Sequence, residues 1–307
     1  MSLTKILILL STYNGEKFIR EQLFSILTQQ GVDVHILIRD DGSKDNTCEI
    51  VEDIASTTDR ITLIRAKNVG CIGSFCALAK EAYDKYKDFD LYAFADQDDV
   101  WMKNKLYRGW VELAGNQGDS MVRLYASAYQ MTDSDLHPIP TRIKKAYKTF
   151  GESLVIQPVL GCTMIFTRPL LELFVKADSS LMSMHDSWMY KLCLGVGGVY
   201  IYDPVPSILY RQHGGNVIGG NQTQLQRWTR RWNNFIHAKR IRFTNATNFL
   251  SVYEADLTPE NRKLLKNLVA ASHSLFKRLK IFFSDKYKTP RQMSNILFKM
   301  AVLFDRY

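Results

Sequence analysis

Four short apolar runs, separated by three helical periods, fill the first hundred residues of this 307-residue chain. Lys5–Leu10, Val34–Ile38, Ile61–Ile64 and Leu91–Ala95 have the length and apolarity of buried parallel strands. Between them, Glu16–Gln30 puts Phe18, Ile19, Leu23, Ile26 and Leu27 on one side of a helix. A second helix, capped by Asp45 or Asn46, runs through Ile54, and Ser74–Tyr86 is a third. This βαβαβαβ order predicts a layered α/β sheet that binds its ligand at the carboxyl ends of the strands. Polar clusters fall at all four ends: Thr12-Tyr13-Asn14, Asp40-Asp41-Gly42-Ser43, Asn68 with Gly70, and Asp96-Gln97-Asp98-Asp99. Loops are polar for general reasons. Four successive strand ends delivering polar groups to one rim is nevertheless the arrangement of a site.

After Val122 the alternation changes. Val122–Gln130 and Gly161–Thr167 are predicted strands, with Arg142–Lys148 a surface loop between them. Met189–Leu194 is a predicted helix that opens after His185-Asp186-Ser187 and closes at Gly195-Val196-Gly197-Gly198. Val199–Tyr202 is a further strand and Tyr210–Asn216 a polar loop. From Asn221 the pattern is helical, with breaks at Thr258-Pro259 and Thr289-Pro290, and Gln224–Tyr253 and Glu260–Phe283 are amphipathic. Charge divides the chain at the same place. Residues 221–307 hold 17 Lys+Arg against 5 Asp+Glu, whereas 1–220 hold 23 against 26. The expected organisation is a near-neutral domain over 1–220 and a basic helical region over 221–307 that faces something anionic.

Asp96, Asp98 and Asp99 crowd one strand end. Such carboxylates repel unless a cation or a donor network neutralises them, and hard oxygen ligands suit Mg²⁺ or Mn²⁺. The same residues also suit a cap on a helix beginning near Asn104. Asp186 and His185 read either as chemistry or as the cap of the helix they precede. His213 reads either as a metal ligand or as a loop histidine bonded to backbone.

Six motifs in order carry a resemblance over roughly residues 3–217: Leu10-Ser-Thr-Tyr-Asn-Gly15, Arg39-Asp-Asp-Gly-Ser43 with Asp45, Asn68-Val-Gly70, Asp96-Gln-Asp-Asp99 with Trp101 and Lys105, His185-Asp186, and Tyr210-Arg-Gln-His213. Together they resemble the family-two inverting nucleotide-sugar glycosyltransferases of GT-A fold, and most of all a bacterial rhamnosyltransferase-like subgroup that assembles surface polysaccharides. The resemblance implies a GT-A mixed sheet flanked by helices, here followed by a C-terminal helical appendage. It implies a donor site of Thr12, Tyr13, Asn14, Asp41, Asn68 and Asp96, with Asp41 accepting from the N3–H of uracil or thymine. It implies that Asp98 ligates Mn²⁺ or Mg²⁺ on the donor diphosphate, with His213 a second ligand and Arg211 paired to the phosphates. It makes Asp186 the general base toward the acceptor hydroxyl, with His185 and Trp101 on the acceptor side. The expected donor is dTDP-rhamnose or a UDP-sugar, and the expected acceptor a lipid-linked saccharide. Two positions depart from the subgroup's pattern: the loop after Gly70 is no phosphate loop, and Gly215 stands where asparagine is expected.

Other classes fit less well. Nucleotidyl transfer needs a Gly- and Arg/Lys-rich loop that Ser11–Gly15 is not, and no motif supports a nucleic-acid partner. Cys48, Cys71, Cys76, Cys162 and Cys193 form no CxxC pair and read as reduced thiols of a cytoplasmic protein. No run approaches 18 apolar residues, so membrane contact is expected to be peripheral, at the inner face of the plasma membrane. Trp228, Trp232 and Phe235 share a helical face beside Arg227, Arg230, Arg231, Lys239 and Arg240. That face suits an anionic membrane surface, packing on the catalytic domain, or a homodimer through the C-terminal helices.

Overall fold

A computed structural model describes residues 3–115, 120–141, 147–213 and 240–307. In chain order the elements are β1 (Thr4–Thr12), α1 (Ile19–Leu27), β2 (Val32–Asp40), α2 (Thr47–Ala55), β3 (Ile61–Arg65), α3 (Gly70–Lys85), β4 (Leu91–Ala95), β5 (Val100–Trp101), α4 (Lys105–Gly115) and β6 (Arg123–Thr132). There follow α5 (Phe150–Val155), β7 (Met164–Thr167), α6 (Arg168–Phe174), α7 (His185–Gly195), β8 (Val199–Arg211), α8 (Ile241–Tyr253), α9 (Pro259–Ala271), α10 (Leu275–Phe282) and α11 (Gln292–Leu303). The chain divides into two compact units. One comprises Met1–Ala146, Val159–Cys193 and Gly198–His213; the other comprises Tyr147–Pro158, Leu194–Gly197 and Gly214–Tyr307.

The first unit is built on one sheet of order β3-β2-β1-β4-β7-β6-β8-β5. β3, β2, β1 and β4 run parallel, and β7 joins β4 antiparallel. Ile6–Leu10 are fully buried, as a strand covered on both faces requires. α1 buries Ile19, Gln22, Leu23 and Ile26, the i, i+3, i+4, i+7 stripe of a helix packed on a sheet. The buried Gln22 amide is satisfied by donating to the Asp96 carbonyl at 2.9 Å. Strand order reverses between β1 and β4, so the crevice beyond their carboxyl ends is the natural ligand position of such a sheet. Thr12-Tyr13-Asn14 and the acidic quartet lie there.

Several expectations need correction. α3 starts at Gly70 rather than Ser74, because Gly70 adopts a φ of +77° that lets the chain turn directly into the helix. Gly161–Thr163 is a 3₁₀ turn, and β7 begins only at Met164. β8 does not stop at Tyr202. It continues through Pro204 and Pro206 to Arg211, its pairing with β6 shifting register around the prolines, so Tyr210 and Arg211 are strand residues.

In the second unit, Phe150, Phe243, Phe249, Tyr253, Leu265 and Phe298 are buried together with Tyr307. Tyr307 meets Phe243 and Phe298 edge-on at 5.1 and 5.2 Å. A Cβ at Gly151 would lie 1.9 Å from the Lys286 carbonyl, so that approach requires glycine. The expected helix Glu260–Phe283 is two helices, divided where Ser274 accepts from the Lys277 amide and starts α10. The stripe of Trp228, Trp232 and Phe235 and most of the Arg142–Lys148 loop lie outside the described residues.

Candidate active site

The loop after β1 is tied to the loops after β2 and β4. Asn14 takes a φ of 49°, a conformation asparagine tolerates. Its amide donates to Ser43 Oγ at 2.9 Å and its Oδ1 accepts from the Lys44 amide at 2.9 Å. Thr12 is buried and its hydroxyl donates to Gln97 Oε1 at 2.6 Å. The Gln97 carboxamide also spans the Tyr13 main chain, accepting from its N–H at 2.8 Å and donating to its carbonyl at 3.1 Å. A Cβ on Gly15 would stand 2.3 Å from Gln97 Oε1, so glycine leaves room for the carboxamide in this position. Tyr13 is left 44% exposed at the rim. Asn14 therefore shapes the loop, and Gln97 is a site residue that the sequence expectations omitted.

Asp41 is buried beneath the start of α3. Its Oδ1 accepts from the Val69 amide at 2.9 Å and from the Arg39 guanidinium, and its Oδ2 accepts from the Gly70 amide at 2.8 Å. Asn68 Oδ1 accepts from the same Gly70 amide at 3.2 Å. The carboxylate is thus fixed by a cation and a helix N-terminus.

The acidic groups meet at the end of β4. Asp98 Oδ2 lies 2.7 Å from His213 Nε2, across 115 residues of chain, and the imidazole packs on Phe18 with ring centroids 4.8 Å apart. Burial, then the negative charges of Asp98 and Asp186, push the Asp96 carboxyl up to about 7. Asp186 is buried in the first turn of α7, where its Oδ1 accepts from the Ser187 amide at 2.6 Å. Asp98 and Asp186 therefore both act electrostatically on Asp96, the situation that a divalent cation relieves. Asp96, Asp99 and Cys162 also bring one ligand atom each within 4.8 Å. Burial and the carboxylates of Asp99 and Asp96 push the Cys162 thiol up, so it stays protonated and is a poor partner for a hard cation.

Three expected roles fall differently. Arg211 was expected at the donor phosphates, but it is buried. Its Nε donates to the Asp98 carbonyl at 3.0 Å, its Nη atoms donate to the Ser134 carbonyl and to Glu21, and its guanidinium lies 4.8 Å from the Phe18 ring. This arginine positions the main chain of the acidic motif. Trp101 was expected to face an acceptor, but it is 3% exposed and sits in the sheet core. His185, expected on the acceptor side, is 4% exposed, stacked on Phe75 at 4.0 Å and edge-on to Phe94 at 5.1 Å. Burial pushes its imidazole below the ordinary range and keeps it neutral, against the opposing pull of Asp186. Exposure is the property these assignments needed, and residue type and spacing do not report it.

Beneath the motif lies Lys105, fully buried, its Nζ 3.7 Å from the Trp101 ring centroid. Burial pushes this ammonium down to about 7. The folded value is below the unfolded one, so the unfolded chain binds more protons from about 7 up to the ordinary lysine range. Native stability therefore rises with pH across that window. Lys105→Met is expected to flatten this rise, measured as the difference between urea midpoints of wild type and variant at about pH 7 and pH 9.

A family model described as Glycosyl transferase family 2 matches residues 7–174. The dTDP-rhamnosyl transferase RfbG of Shigella flexneri is 30% identical over 226 residues, covering 69% of this chain and 74% of that protein. Among solved structures, S. aureus TarS superposes with a TM-score of 0.57 at 15% identity, covering 99% of this chain, which spans 54% of TarS. Its fragment 1–349 in complex with UDP-GlcNAc gives a TM-score of 0.54 at 14% identity, covering 99% of this chain and 91% of the fragment. The mannosyltransferase PcManGT of Pyrobaculum calidifontis, in complex with GDP-Man and Mn²⁺, gives 0.53 at 16% identity, covering 100% of this chain and 89% of that one.

Proposed function

The chain belongs to glycosyl transferase family 2 and has the GT-A fold, and from that premise we propose that it moves a sugar, with inversion, from a pyrimidine nucleotide-sugar to a lipid-linked glycan in bacterial surface polysaccharide synthesis. The first donor in this reading is dTDP-rhamnose, supported by the likeness to a protein described as a dTDP-rhamnosyl transferase. A UDP-hexose or UDP-N-acetylhexosamine is the second, favoured by the UDP-GlcNAc complex of TarS. The reading places the enzyme in the cytoplasm, at the inner face of the membrane. Among the described residues no helix is long and apolar enough to cross one.

The observation that carries the reading is the contact of Asp98 with His213 at the strand-order reversal, beside an Asp96 carboxyl on which the charges of Asp98 and Asp186 act. The donor set fits a divalent cation. A carboxylate oxygen and an imidazole nitrogen already converge at 2.7 Å, beside an Asp96 carboxyl raised by burial and then by the charges of Asp98 and Asp186. Asp98 and His213 would hold Mn²⁺ or Mg²⁺, which when bound stabilises charge on the departing diphosphate. The exposed Tyr13 supplies an aromatic face for the base, and Asp41 Oδ2 keeps acceptor capacity for an N3–H besides its bond from Gly70. Asp186, its Oδ1 anchored on Ser187, takes the proton of the attacking acceptor hydroxyl through its other oxygen. Arg211 and Gln97 keep the motif's main chain in place.

Radiolabelled dTDP-rhamnose, UDP-glucose and UDP-N-acetylglucosamine, each incubated with the protein, Mn²⁺ and a bacterial lipid-linked acceptor extract, test the proposal. Label is expected in the lipid fraction from dTDP-rhamnose. Label from a UDP-sugar instead selects the second donor, and label from none contradicts the transfer.

A further inference from the structure

The helical unit carries an apolar face that its own core does not use. α10 buries Ile281 on one side. Leu275, Phe276, Leu279 and the following Phe283 lie within about 100° of arc on the other, at 100° per residue. All four are exposed, Phe276 and Phe283 to 77% each. Phe282 meets Phe283 edge-on at 5.2 Å and lies 5.8 Å from Lys299 Nζ of α11, so the two helices adjoin there. The exposed Ile296 stands one turn before Lys299. Exposed phenylalanines of this kind mark an interaction surface rather than ordinary solvent-facing helix.

Charge identifies the occupant. Residues 275–299 hold seven Lys+Arg against the single acid Asp285. Arg278 is engaged internally by Asp305 and the Ala271 carbonyl. Lys277 and Lys280 of α10 are exposed, and Lys286 and Lys288, exposed in the segment that follows, lie 3.9 and 4.0 Å from Glu260 and Asp285. We propose that this face, α10 with Phe283 and its lysines, docks on an anionic bilayer surface. The phenyl rings enter the boundary between headgroups and acyl chains, and the lysines meet the anionic headgroups. A second copy of the chain is a poorer occupant, because a two-fold contact would set Lys277 and Lys280 near their own counterparts. The inference rests on the proposed function in one respect: an acceptor carried on a lipid is met at a bilayer.

Sedimentation of the full chain with vesicles of phosphatidylcholine, alone or mixed with phosphatidylglycerol, tests it. Binding to the mixed vesicles only is expected, about tenfold or more weaker at high salt, in F276S/F283S and in K277E/K280E. Thermal stabilisation of these variants by nucleotide and Mn²⁺ is expected to match wild type, which separates this test from that of the active site. Binding to neither vesicle, or equal binding by F276S/F283S, overturns the proposal. So does a dimer, seen by light scattering, that F276S/F283S dissolves.

Discussion

Asp186→Asn is expected to lower turnover by about 10²–10⁴-fold, the contribution of a positioned general base, while leaving nucleotide binding intact. The reason is local. Asp186 opens α7 with Oδ1 held by the Ser187 amide, and asparagine can keep that bond through its own carbonyl oxygen. What the amide cannot do is accept a proton from an attacking hydroxyl. Its neutrality also removes one of the two charges that raise Asp96, so the Asp96 carboxyl is expected to fall toward its ordinary range. Initial rates of transfer at saturating donor, beside the nucleotide-induced thermal shift of the same variant, measure both parts. A variant within tenfold of wild type places the base elsewhere.

Asp98→Ala is the second large effect. The substitution removes the carboxylate that His213 meets at 2.7 Å and leaves the imidazole without that partner. Loss of a cation at a departing diphosphate forfeits several kcal/mol of transition-state stabilisation, about 10²–10³-fold or more in rate. Unlike Asp186→Asn, this variant is expected to lose the Mn²⁺ dependence of nucleotide binding as well. Asp98→Ala in a rate assay across Mn²⁺ concentrations therefore gives a flat, low response where wild type saturates. Retained Mn²⁺ activation would assign the ion to the neighbouring Asp96, Asp99 and Cys162 instead.

The parallel half of the sheet was legible because each strand is an apolar run with polar punctuation. Its strands are longer than their apolar cores where polar ends stay in register, as Ser11 with Arg39 and Thr12 with Asp40. The sequence predicts a strand ending at Tyr202, whereas β8 runs on through Pro204 and Pro206 to Arg211. The sheet absorbs them by shifting register, a solution visible only once β6 is its neighbour. Within the site, the clustering of acids at one strand end was legible from spacing, and the structure brings Asp98 to His213. The positions of Arg211, Trp101 and His185 were not. Each is polar or aromatic within a motif, yet each is withdrawn into protein, Arg211 by Glu21 and the Ser134 carbonyl, His185 between Phe75 and Phe94. Lys105 carried a weak signal, four residues after Trp101 on the way into α4. Its burial over the Trp101 ring depends on the strand–helix packing, which residue spacing alone does not describe. The aromatic face of α10 was hidden for a related reason. Reading residues 260–283 as one helix mixes two arcs, and only the break at Ser274 separates the buried Ile281 from the exposed phenylalanines.

The most direct measurement is a thermal-shift series with dTDP, UDP, GDP and CMP, each with and without Mn²⁺, on wild type and Asp98→Ala. A ligand that binds the native state raises the melting temperature according to its affinity. The account predicts stabilisation of wild type by dTDP or UDP only when Mn²⁺ is present, weaker responses to GDP and CMP, and no metal-dependent response in Asp98→Ala. Equal stabilisation with and without metal, or none by any nucleotide in a folded sample, would contradict it.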